Sequence, residues 1–405
     1  MNDATPSRVE APLAVPSTAR LVLVFGLAGF ASALTTRALD PLLLSVAADF
    51  SASTERVALL ASAYALPYAL IQPLLGPVGD ALGKRRVIVV CALLLTAALL
   101  LGAFANSLPL LFASRILAGL AAGGITPLAL ATFGDAVPMA QRQVAMSRFM
   151  ACAIGGQVAG GALSGLFAGV LGWRGVLAAC ALATLLAGLV LRWDARRAPD
   201  PARGRLDPSL ALLRYREILT NPLALRLFGG VAVEGLLVFG IFPFLAAILA
   251  LRGIGGTAEA GLALGAFGLG GFGYAALAPL LVRGIGQENM MRLGGACAAA
   301  GLILVAIAPA LAVVVLATLV LGLGYFMLHN SIQVRVTEVA PLARGSAVAL
   351  HAFSFFMGQS LGPALFALAQ TGFGTVPTLA ASAVGLVVLG FWLAAAVGRT
   401  VRVGA

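Results

Sequence analysis

Arg37, Asp40, Arg115 and Glu234 each fall inside a long apolar run of this chain. A charge in such a run is costly unless it is paired or turned towards water, so each marks a candidate path for protons or solutes. Arg37 lies one helical turn before Asp40 and can hold that carboxylate locally. Asp40 and Arg115 also sit at similar depth, roughly 10 Å below the same boundary at 1.5 Å per residue, and can pair across an interior. Protonating Asp40 would then release an arginine and bias a cavity between two states; the competing reading is a fixed pair that orients helix ends. Glu234 has no basic residue within one turn. It is expected either to load and release a proton or to serve as a protonated link between helices.

Two polar series recur every fourth residue, Tyr64, Tyr68 and Gln72 in one run and Tyr325, His329 and Gln333 in another. Each lines one helical face. With His351, Phe353 and Phe356, and with Gln157 and Gln359, they predict a cavity of few polar contacts among apolar walls, suited to small amphipathic organic solutes. The bland alternative for either histidine is a helix-to-helix hydrogen bond. No HExxH, phosphate-loop or nucleophile-elbow pattern is present, and the loops are too short for a catalytic domain. Neither an enzyme nor a metal or other cofactor is expected.

These residues need helices to position them, and the composition says which kind. Of 405 residues 61% are apolar and 10% charged, with a mean hydropathy of +1.03. Lipid is the solvent that such a chain requires, and strict alternation of the β-barrel type is missing. Runs of roughly 20 apolar residues, enough to cross a hydrocarbon core, predict twelve transmembrane helices, an all-α membrane fold. They are expected near 21–47, 56–78, 87–106, 109–133, 144–171, 175–193, 226–251, 259–282, 293–309, 311–334, 346–371 and 376–398. Residues 1–20 and 399–405 read as tails, 21–193 and 226–398 as two six-helix bundles, and 194–225 as a linker.

The net charge of +11 does not point to nucleic acid, because the basic residues lie in the short gaps between runs. Lys84, Arg85, Arg86, Arg142, Arg283, Arg292, Arg335 and Arg344 share one side; the other holds little beyond Arg56, Arg174 and Arg252. That asymmetry predicts a multi-pass protein with both termini in the cytoplasm. Cys91, Cys152, Cys180 and Cys297 all fall inside runs and read as small buried apolar residues. A shift of 202 places lays Pro41 on Pro243, Arg142 on Arg344, and Gly156, Gln157 and Gly160 on Gly358, Gln359 and Gly362. Parallel six-span repeats imply two bundles about an axis along the membrane normal, with a cavity between them. The third, sixth, ninth and twelfth spans are almost free of polar residues and are expected to face lipid.

The turn between the second and third spans reads GPVGDALGKRR. Gly76, Asp80, Gly83, Lys84, Arg85 and Arg86 stand in the order and spacing of the signature of the major facilitator superfamily, which the chain resembles. The resemblance implies the twelve-helix transporter fold, a monomer, and a latch at Asp80 between the bundles. In the second half Arg283 replaces the acid, and Gly286 remains. SRILAGLAAGG resembles a second family pattern, in which Arg115 would take part in proton transfer and Gly119 and Gly123 would let helices approach. GGQVAGGAL resembles the antiporter pattern, with Gln157 where a proline is expected; Gly362 and Pro363 restore that pair in the related helix.

The chain is thus similar to bacterial drug or metabolite:proton antiporters of the arabinose-efflux-permease-like group. The expected function is proton-coupled efflux of small organic solutes across the bacterial inner membrane, with protons, lipid and a small-molecule substrate as partners. A proton-coupled importer of a nutrient or organic acid uses the same parts, and a membrane scaffold or sensor without transport stands as an alternative of another class.

Overall fold

The computed structural model describes residues 17–197, 208–340 and 343–403. Ten helices among them are long and apolar enough to cross a membrane. Two of these, Met139–Arg197 and Thr257–Ile307, reverse direction at Gly172 (φ 62°) and Gly286 (φ 73°), so the ten make twelve crossings. A left-handed backbone costs glycine nothing, and a helix therefore breaks there without a loop. The crossings are α1 (Thr18–Asp49), α2 (Thr54–Leu82), α3 (Lys84–Ala103), α4 (Leu108–Ala136), α5 (139–171) and α6 (173–197). The second set is α7 (Pro222–Leu251), α8 (257–285), α9 (287–307), α10 (Leu311–Glu338), α11 (Arg344–Phe373) and α12 (Thr375–Val403).

Local chemistry starts and bends these helices. Ser17 and Ser53 cap α1 and α2 by accepting the backbone N–H of Arg20 and Arg56, and Asn221 caps α7 in the same way. Capping matters because the first turn has N–H groups with no partner inside the helix. Mid-span, Pro41 and Pro243 each turn one segment to a tighter 3₁₀ helix, Asp40–Leu42 and Phe242–Phe244. A proline withholds the N–H that the carbonyl four residues earlier needs, which is why both spans bend there.

The repeat is therefore physical as well as textual. A methyl group on Gly156 would overlap the Phe30 carbonyl, and one on Gly358 would overlap the Ala232 carbonyl, the same contact 202 residues on in both partners. Gly160 on Leu34 and Gly362 on Leu236 repeat it again. Backbones this close gain dispersion contacts, which drive helix association where apolar burial supplies no force. Rows of exposed apolar residues, such as Leu94, Leu186, Ile307 and Val388, run down α3, α6, α9 and α12. A buried hydroxyl pair, Thr96 with Thr184 at 3.0 Å, joins α3 to α6.

One expectation is corrected. The linker does not begin at Asp194, because α6 continues through Arg197 and buries Asp194 inside the first bundle. Within the linker, Pro208–Leu219 is a helix whose Ile218 enters the core of the second bundle with Leu227, Leu328 and Leu393. The expected N-terminal tail lies almost wholly outside the described residues.

Candidate transport pathway between the bundles

The bend in α1 sets Arg37 and Asp40 at the junction of the two bundles. Arg37 Nη1 lies 3.2 Å from Asp40 Oδ2, while Nη2 donates to Gln359 Oε1 of α11 at 2.7 Å. The same guanidinium covers the rings of Phe239 and Phe242 of α7, at 4.2 and 5.5 Å from their centroids. Arg37, Asp40 and Gln359 are all buried. One cation thus holds a carboxylate of its own span and an amide of the opposite bundle, in a setting where both bonds are strengthened by the exclusion of water. Of the two candidate partners for Asp40, the ion pair is with Arg37. Arg115 instead reaches the Thr35 carbonyl at 3.5 Å and stacks over Tyr64 at 4.3 Å, which ties α4 to α1.

Glu234 is not alone. Its carboxyl Oε2 is 2.8 Å from His329 Nδ1 of α10, and His329 in turn lies 5.2 Å, ring to ring, from His351 of α11. Three helices of the second bundle converge on this cluster, and Tyr325 and Phe355 roof it with ring contacts of 5.1 and 4.7 Å to His329. Glu234 Oε1 and His351 Nε2 are buried with no hydrogen-bond partner among the described residues. A carboxyl and an imidazole joined by a hydrogen bond can exchange a proton directly, and the second imidazole lies in ring contact beside them. Helical spacing around Glu234 shows none of this, because the partner is 95 residues away. Depth was the available signal: twelve residues after Pro222 and nine before Glu338, the two groups lie roughly 18 and 14 Å from one face at 1.5 Å per residue.

The polar series of α2 divides. Tyr64 bonds Thr35 at 3.1 Å and Thr36 at 3.4 Å, and Gln72 donates to the Gly123 carbonyl at 3.3 Å, so both are spent inside the first bundle rather than on a cavity. Spacing of four defined the face correctly but not what lay opposite it. Tyr68 does cross between the bundles, its ring 3.9 Å from that of Phe356. Gln157 lines a cleft with Arg37, Phe239, Phe267 and Phe326. His329, Gln333 and Phe356 are half-buried.

At the other end, the basic turn after α2 splits three ways. Lys84 bridges Asp80 and Asp135 at 2.7 Å each, Arg85 turns inward to Asp194 at 2.8 Å, and Arg86 is exposed. Gly83, at φ 91°, makes the turn itself. Arg20 shares Asp194 at 2.7 Å, which leaves that buried carboxylate between two guanidinium groups. Asp80 is exposed and its ion pair stays within the first bundle; among the described residues it makes no latch to the second bundle in this conformation. Asp135 and Asp194 were not singled out in the sequence, since an acid at a helix end looks like any other.

Away from the Lys84 turn the bundles meet along α5 and α8. Backbones of α5 and α8 touch at Gly165 and Gly261, and side chains continue that seam through Gly161 on Leu264 and Val158 on Gly268 to mid-depth. Towards the Lys84 turn, Gly273 and Gly284 of α8 have nothing within contact distance.

Comparison with known proteins agrees with this arrangement. Residues 25–363 match the family described as Major Facilitator Superfamily. The chain is 25% identical over 380 residues to the uncharacterized MFS-type transporter YwfA of Bacillus subtilis (strain 168), covering 92% of this chain and 90% of that one. It is 29% identical over 329 residues to a chloramphenicol resistance protein of Streptomyces lividans, 78% of this chain and 81% of the other. Among solved structures, a bacterial homolog of the human lysosomal transporter Spinster superposes with a TM-score of 0.74 at 19% identity, over 95% of this chain and 98% of that one.

Proposed function

The chain belongs to the major facilitator superfamily of membrane transporters, and we propose that it couples proton entry to the export of small amphipathic organic solutes by alternating access. The observation that carries this reading is the single guanidinium of Arg37 shared between Asp40 and Gln359. Both hold it here through different nitrogens, so weakening one hold shifts the guanidinium towards the other. When Asp40 binds a proton its hold on Arg37 weakens, the guanidinium is left for Gln359 and the rings of the opposite bundle, and closure away from the Lys84 turn is favoured. When the proton leaves, the carboxylate draws Arg37 back and the seam can open.

With the Lys84 turn in the cytoplasm, as the distribution of arginine and lysine favours, the sign suits an exporter. A proton taken from outside closes the outer seam and exposes the cavity inward; its release inside lets the substrate-loaded protein return. Glu234, His329 and His351 supply a second proton station beside the aromatic wall, and Gln157 with Phe239, Phe267 and Phe326 supplies solute contacts. Arginine on α4, at Arg115, stays a coupling residue through its hold on the Thr35 carbonyl just before Arg37.

The relative that carries chloramphenicol in its name sets the first solute to try. Cells making this protein are loaded with labelled chloramphenicol and treated with an uncoupler. Accumulation rises on uncoupling for an exporter, falls for an importer, and matches cells without the protein for a scaffold.

A further inference from the structure

Inside α2 stand three prolines, Pro67, Pro73 and Pro77. The carbonyl of Pro73 would accept its helical hydrogen bond from the N–H four residues on, and residue 77, as a proline, has none. Pro73 is half-buried, and a carbonyl withdrawn from water in that way costs free energy and seeks a donor elsewhere. It finds one outside the bundle: the Tyr215 hydroxyl donates to the Pro73 carbonyl at 2.8 Å. Tyr215 lies on the linker helix Pro208–Leu219, and its ring packs against the second-bundle core built from Ile218, Leu227, Leu328 and Val336. The bond therefore joins the two bundles on the side of the Lys84 turn, seven residues before Asp80, where the seam of α5 and α8 does not reach. Burial pushes the Tyr215 phenol above its ordinary range, so it remains an O–H donor throughout the physiological range.

We infer that Tyr215 is a positioning residue for the transport cycle, a hydrogen-bonded strap from the linker helix to the proline-freed carbonyl of α2 that holds the bundles in the present conformation. Rocking of the bundles carries the Lys84 end of α2 past the linker helix, and the bond has to break in the alternate conformation. The strap exists because Pro77 withholds an N–H, so either partner of the arrangement can be removed independently. Tyr215→Phe deletes the donor and keeps the ring. Pro77→Ala gives the Pro73 carbonyl a donor within its own helix and makes the tyrosine redundant.

The inference rests on alternating access, and the test separates the two. Spin labels at Val144→Cys on α5 and Leu280→Cys on α8, in a background without Cys91, Cys152, Cys180 and Cys297, report the distance between the bundles on the Lys84 side. Wild-type protein in lipid nanodiscs is expected to show two distances. Tyr215→Phe should move their ratio about fivefold towards the shorter one, the size of one net hydrogen bond. Pro77→Ala should move it the same way, and the double variant should go no further than either alone. A wild type with two distances whose ratio ignores Tyr215→Phe, or a double variant that adds both shifts, overturns the strap. A wild type with a single distance at every pH overturns alternating access and the strap together.

Discussion

Arg37 and Phe239 occupy the same place in the two halves of the chain, 202 residues apart, and the guanidinium of one lies 4.2 Å from the ring centroid of the other. The pseudo-symmetry axis thus runs between a cation and a π-face. Each residue stands four places before the proline that bends its span, Pro41 in one case and Pro243 in the other. Duplication supplies two equivalent bends; divergence at one position makes only the first of them ionic. The ionic junction is for that reason single rather than paired.

The geometry of that junction asks for a planar cation. Arg37→Lys replaces a fork that reaches Asp40, Gln359 and two rings with one point charge that cannot serve all of them. Transport driven by a proton gradient should fall to the leak rate in reconstituted vesicles, although the charge is retained. Phe239→Leu removes the stacking together with the ring contacts to Phe242, Phe267, Tyr325 and Phe355, and should lower stability by at least about 0.5–2 kcal/mol, read from thermal unfolding in detergent.

Glu234 and His329 are expected to differ in what their loss does. His329→Leu strips a fully buried carboxyl of its partner and should cost about 1–3 kcal/mol of stability. Glu234→Gln keeps an amide for His329 to bond, and should unfold close to the wild-type temperature while gradient-driven transport is lost. Unfolding curves and vesicle transport measured on the same preparations separate the two roles.

Glycines at the helix crossings provide a contrast with an internal control. Gly156→Ala and Gly358→Ala each push a methyl group into a carbonyl of the neighbouring span, which overpacks by about 1–3 kcal/mol. Gly273→Ala has nothing nearby and should be neutral or stabilising, by up to about 1 kcal/mol from helix propensity. The order of the three unfolding midpoints checks this.

Two carboxylates near the Lys84 turn should behave oppositely. Asp194→Asn removes the buried carboxylate that Arg20 and Arg85 share, which should cost about 3–5 kcal/mol and lower the yield of folded protein. Asp80→Asn alters an exposed ion pair worth at most about 1 kcal/mol, so any loss of transport in that variant reflects the conformational cycle and not folding.

How far the sequence alone reaches is visible in these same residues. Spans were legible to within a few residues because apolar length and glycine or proline breaks are local properties, and the repeat was legible because Pro41, Gln157 and Gly156 recur at one offset. Families of contacts were not. The pairing of Glu234 with His329 depends on how α7 and α10 tilt, and the inward turn of Tyr64 and Gln72 depends on which neighbour α2 meets; periodicity fixes a face without naming its partner. The linker helix escaped notice because its twelve residues, PSLALLRYREIL, are too few and too mixed in polarity to read as a span. Asp194 looked like part of a polar connection, and only its two guanidinium partners, more than a hundred residues away in sequence, bring it inside.

Whether proton binding at Asp40 gates the bundles, as proposed, is measured most directly on the face away from the Lys84 turn. Spin labels at Val170→Cys and Leu251→Cys, on the exposed ends of α5 and α7, report whether that seam is shut. As pH falls, the wild-type distribution should move towards the short distance, while Asp40→Asn, carrying a permanent neutral side chain, should sit at the short distance at every pH. An Asp40→Asn protein that keeps the wild-type response to pH, or a wild type that opens on acidification, contradicts the account.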